Sequence, residues 1–158
     1  MLEAIDVHAD ALKRAALTAG PAAPVPNCPK WTVHDLVTHI ASVHCAAIGL
    51  VLDRPLPPTP PPDWADVLGW WDGQRLALRE ALVRNPGSPW TGRLAHATAI
   101  HRLDAESALA RPVPARLSPE FAPGAGELVC AVVLPGSAGC RGGDRLPAVR
   151  PARGECGT

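Results

Sequence analysis

Apolar residues recur at helical spacing through four separate stretches of the chain, and nowhere in a sustained alternation that would mark a strand. The first stretch runs from about Leu2 to Thr18 and meets a stop signal at Gly20-Pro21. The second opens at Trp31-Thr32 and carries Val33, Leu36, Val37, Ile40, Val43, Ala47 and Val51 on one stripe. Thr32 is placed as its N-cap, with Asp35 where a capping box has Glu. The third starts after a capping Asp63 and continues to about Val83, with Trp64, Val67, Leu68, Trp71, Leu78 and Leu82. Asn85-Pro86-Gly87-Ser88-Pro89 ends it. The fourth runs from about Thr91 to Ala110 and stops before Arg111-Pro112.

The connections are of two kinds. Pro21, Pro24, Pro26 and Pro29 make a proline-rich link between the first two helices. Pro55 to Pro62 holds so many prolines that only an extended loop fits it. Leu117 to Leu128 has room for one more short turn. From Val129 on, glycine, arginine and proline dominate, the helical period disappears, and three of the five cysteines collect. The pattern predicts an all-α, antiparallel four-helix bundle over 1–128 and a poorly ordered tail over 129–158. The tail reads as a frameshifted or truncated end.

Composition narrows the function. The 158 residues suit one domain, and the formal net charge is zero, with no Lys/Arg run before the tail. A nucleic-acid partner needs a basic face, so none is expected. The start carries early acids, not a basic segment followed by an apolar run, and the longest uninterrupted apolar stretch, Cys45 to Leu52, is short of a bilayer span. The expectation is a cytoplasmic protein with no membrane partner. Cysteines that are odd in number and lack CxxC spacing read as reduced thiols.

Histidine is the residue that carries candidate chemistry. His39 and His44 lie on the second helix, His96 and His101 on the fourth. At about 100° per residue, His101 shares a face with Leu94, Ala97, Asp104, Ala105 and Ala108. His39 and His101 would supply two imidazoles from two facing helices, a donor pair suited to a divalent metal. The competing reading makes each a hydrogen-bonded core residue.

Two segments carry a family resemblance. Val25-Pro26-Asn27-Cys28-Pro29-Lys30-Trp31, continuing to Leu36-Val37-Thr38-His39, is similar to the opening signature of the mycothiol-dependent maleylpyruvate isomerase family, whose metal-binding domain has the DinB-like fold. His96-Ala97-Thr98-Ala99-Ile100-His101-Arg102-Leu103-Asp104-Ala105-Glu106 resembles its second signature, His-Glu-x-x-x-His-Arg-x-Asp-Ala-Glu.

The resemblance implies a divalent metal, zinc above all, held by His39 and His101, with mycothiol as the thiol and an electrophilic small molecule as its substrate. It implies an isomerase or S-transferase. The family's intervening glutamate is Ala97 here. The site is therefore expected to be impaired, and the alternative is a non-catalytic bundle acting as a binding module. Asp104, His96 and His44 are the candidate replacements for the lost ligand. Arg102 is the candidate anchor for an anionic substrate or cofactor group, or else the partner of Asp104 or Glu106. Trp31 and Trp71 read as core and staple residues, and Cys28 as a small buried one.

Overall fold

A computed structural model of the chain describes residues 1–55 and 59–109. The predicted turn at Leu117–Leu128, the domain limit at 128 and the character of the tail lie outside these residues. The described part contains four helices: α1 (Leu2–Ala19), α2 (Val33–Leu52), α3 (Trp64–Arg84) and α4 (Trp90–Ser107). All four were legible as apolar periods, within a few residues at each end.

The termini show why the helices start and stop where they do. Gly20 closes α1 with φ 83°, the left-handed region in which a side chain would be strained. At α2 the capping box is reciprocal. Thr32 Oγ1 accepts from the Asp35 amide at 3.3 Å, and the Thr32 amide donates to Asp35 Oδ2 at 2.8 Å. Asp63 stands at the N-cap of α3, but its side chain makes no capping hydrogen bond; what it offers is negative charge at the positive end of the helix dipole.

Helix α4 stops three residues before the expected Ala110. The Ser107 hydroxyl donates to the Asp104 carbonyl at 2.7 Å, occupying the acceptor that an α-helical Ala108 amide would use. The amides of Ala108 and Leu109 turn instead to Ala105 and Glu106, each at 3.2 Å, and the last turn tightens.

Cross-helix contacts set the directions. Asp6, Asp10 and Lys13 pair with Arg79, Arg75 and Asp72, so α1 and α3 are antiparallel. His39 meets His101 and His44 meets Thr98, so α2 and α4 are antiparallel too. By contrast, His34 lies against Trp64 and Cys45 bonds Gln74, which makes α2 and α3 parallel. Met1 lies near Gly92 and His8 touches Arg102, so α1 and α4 also run the same way.

Two parallel helices in succession need a connection as long as a helix. The twenty residues of α2 span about 30 Å at 1.5 Å each. The segment 53–63, extended at about 3.1 Å per residue, reaches about 34 Å. The sequence reading of this segment as an extended loop is compatible with that return, although residues 56–58 lie outside the described residues.

The core is aliphatic and continuous. Leu12, Leu36, Val37, Ile40, Val67, Trp71, Leu78, Leu82 and Leu94 are buried, each large one contributing on the order of 1.5–3 kcal/mol. Both α1 and α4, which pack most closely together, line their buried faces with alanine. Helix α2 is long and apolar enough to cross a membrane by length and composition, with mean hydropathy 1.6. Here it is the core helix, packed against all three others. Helix α4 has almost no apolar contrast because its buried face holds Thr98, His101 and Asp104 among the alanines.

The link between α1 and α2 is also ordered. Val25 sits in the core at 1 % exposure, and its amide donates to the Trp31 carbonyl at 3.0 Å. A single bridge joins Pro24 and Thr32. The link therefore folds back on itself over the N-terminus of α2 and presents Asn27 and Trp31 to the end of α4.

Candidate functional site

His39 and His101 come together as the helical faces predict. Their ring centroids are 5.0 Å apart and the rings are edge-on at 80°. Two imidazoles on one tetrahedral zinc, with nitrogens about 2.0–2.1 Å from it, have centroids about 5 Å apart, so the pair fits that use. Trp31 walls one side, with its ring 4.9 Å from His39 and 6.4 Å from His101. Its packing against the core was legible as a staple; its place over both imidazoles was not.

Burial and the neighbouring His101 hold the His39 pKa down to about 4, against a smaller opposing pull from Asp104. The ring is neutral at neutral pH, the form in which imidazole binds a metal. His101 is 5 % exposed. Its Nδ1 lies 3.0 Å from Asp104 Oδ2, and Asn27 Nδ2 donates to the other oxygen, Oδ1, at 3.1 Å.

Of the candidate replacements for the acid that the resemblance expects at position 97, Asp104 and His44 already have other partners. Asp104 is next to His101, but both of its carboxylate oxygens are engaged, one by His101 Nδ1 and the other by Asn27 Nδ2. His44 is fully buried, and both of its nitrogens are used. Trp71 Nε1 donates to His44 Nδ1 at 3.1 Å, so Nε2 carries the hydrogen and donates to Thr98 Oγ1 at 2.9 Å. The Thr98 hydroxyl passes its own hydrogen to the Leu94 carbonyl at 2.7 Å. His96 is half-exposed on α4. Among the described residues, no group of three or more His, Cys, Asp or Glu side chains is placed to hold a metal.

Arg102 faces α1. Its Nε donates to Glu106 Oε1 at 2.7 Å, and Nη1 lies 3.3 Å from His8 Nδ1. Desolvation, then the adjacent guanidinium, lowers the His8 pKa, with Glu106 opposing. Of the two anticipated partners Glu106 is the one found, in a half-buried pair and not on an open helix surface. Cys28 is half-buried where a buried residue was expected, because the link that carries it lies along the bundle's edge.

Asn27, Thr98 and the second role of Trp31 were not legible. Thr98 falls at an unspecified position of the second signature, and a lone polar residue such as Asn27 carries no periodic signal. The sequence model described as the mycothiol maleylpyruvate isomerase N-terminal domain matches residues 2–106, which takes in nearly all of the bundle, and the chain belongs to that family. No curated protein and no solved structure matches the chain.

Proposed function

We propose that this member of the mycothiol maleylpyruvate isomerase N-terminal domain family binds a divalent metal, zinc above all, through His39 and His101, and acts on the thiol of mycothiol with a weakened site. The observation that carries this reading is the 5.0 Å approach of two imidazoles from facing helices. A bound divalent ion would lower the pKa of a coordinated thiol and so supply a thiolate at neutral pH. Addition to an electrophilic substrate would then give S-transfer, or isomerisation where the thiol is expelled again.

The chain's own residues have separable parts in this reading. His39 is held neutral by burial. Trp31 keeps water off one side of the pair. Arg102 is the candidate anchor for an anionic group of the thiol or substrate, and such an anion would compete with Glu106 for the guanidinium. Ala97, one turn before His101, offers no carboxylate. Two imidazoles alone hold an ion less tightly than three protein ligands, and a proton acceptor is missing from the same place.

That absence favours a second reading, a non-catalytic bundle that serves as a binding module. Zinc or nickel titration at neutral pH separates the two. Wild type should bind weakly, Ala97→Glu about 10- to 100-fold more tightly, and His101→Ala in the Ala97→Glu background should lose that gain. Equal affinities for wild type and Ala97→Glu would mean that the motif correspondence at position 97 is wrong, and tight binding by the wild type itself would point to a different third ligand. Purified protein that carries no metal and gives no thiol-dependent turnover would support the binding module.

A further inference from the structure

We infer that Asp104 and Asn27 form a positioning pair that selects the tautomer of His101 and aims its Nε2 lone pair into the space shared with His39. The purpose of the pair rests on the metal reading above; its geometry does not. His101 and Asp104 are three residues apart and share a face of α4, so the carboxylate reaches the ring without leaving the helix. Its side chain is 10 % exposed, and both of its oxygens are engaged, Oδ2 with His101 Nδ1 and Oδ1 with Asn27 Nδ2.

A carboxylate only accepts, so the hydrogen between Asp104 and His101 belongs to Nδ1. In the neutral ring the lone pair is then on Nε2. This is the tautomer that a free histidine side chain disfavours in water, and holding it requires a fixed acceptor. Asn27 supplies the fixing. Without it, one oxygen of a buried carboxylate would lack a partner, at a cost of about 1–3 kcal/mol, and the group would be free to turn toward water. A histidine ligand whose second nitrogen is held by a carboxylate is both oriented and made more basic. Asp104 therefore acts through His101 and not as a third ligand.

The molecule contains its own reference. His44 is held in the opposite tautomer, since Nδ1 accepts from Trp71 and Nε2 donates to Thr98. Long-range nitrogen–proton NMR of the full chain at pH 7.5, after treatment with a chelator, should show His101 protonated at Nδ1 and His44 at Nε2. A His101→Ala sample assigns the signals. Asp104→Leu should move His101 to the Nε2-protonated form and leave His44 unchanged, and Asn27→Ala should move a fraction of it the same way. Zinc affinity should fall about 10- to 100-fold in Asp104→Leu. A wild-type His101 protonated at Nε2, or a tautomer unchanged in both variants, would overturn the inference. Should Asp104→Leu not fold, the wild-type and Asn27→Ala spectra decide alone. The expected tautomers in a wild type that binds no zinc would end the metal reading and leave the positioning pair standing.

Discussion

Helices α2 and α4 meet through histidine twice, and the two meetings are built for different ends. Where His44 meets Thr98, a neutral imidazole is closed into a directional chain that runs from Trp71 on α3, through α2, to the Leu94 carbonyl of α4. Burial, then Arg75 and His101, pushes its pKa down to about 3. Arg75 itself lies over the Trp71 ring at 5.5 Å and pairs with Asp10, which carries the connection to α1. Where His39 meets His101, the two rings lie edge-on beneath an indole, and among the described residues the polar partner of the pair is Asp104. Burial alone thus does not distinguish a structural histidine from a candidate ligand. The difference lies in how many ring nitrogens the core consumes.

The sharpest way to break this comparison is to remove each histidine in turn. His44→Ala should destabilise the bundle by about 3–5 kcal/mol, because it opens a cavity and leaves the Trp71 indole N–H without its acceptor. Its effect on zinc affinity should stay within a few-fold. His39→Ala should cost about 1 kcal/mol in stability and abolish zinc binding. Denaturant unfolding and metal titration of both variants check the crossing. Similar stability losses in the two would mean that the regions are not distinct.

Acid sharpens the comparison next. His44 and His39 have folded pKa values of about 3 and about 4, below the unfolded value near 6.5. Above pH 6.5 both states are neutral and the contribution is constant. As pH falls below 6.5, the unfolded chain takes up protons that the folded chain refuses. Each histidine then lowers stability with a slope approaching about 1.4 kcal/mol per pH unit, or about 1.6 kcal/mol between pH 6.5 and 5. Replacing His44 with Leu should make that part of the profile shallower. An unchanged slope would show that His44 is not the buried neutral base described here.

The smallest effect concerns the end of the bundle that holds the pair. Thr32→Ala removes the capping box and should cost about 1 kcal/mol by denaturant unfolding. The loss should leave the His44 chain intact, and the buried Trp71 fluorescence should keep its folded-state maximum.

Much of this was readable without coordinates, for identifiable reasons. The helices follow from a 3.6-residue apolar period and from local stop signals such as Gly20 and Asn85-Pro86. The pairing of His39 with His101 followed from their faces and from the two signatures. The end of α4 was misplaced because a Ser107 hydroxyl competes for a carbonyl, which no period encodes. Arg102 and Glu106 pair on the side of α4 that meets α1, whose contact residue His8 is 94 residues away in the sequence.

By itself the sequence determined four helices, their apolar faces, the two histidines that meet and an alanine at 97 where the resemblance expects an acid, because each is set by local periodicity or by a residue's identity. Tertiary structure alone decided the parallel pairing of α2 with α3, the folding of Asn27 and Trp31 over the end of α4, and the opposite tautomers of His44 and His101. Those depend on which distant groups share a hydrogen or an acceptor, and a hydrogen bond between remote residues leaves no mark on the spacing of either.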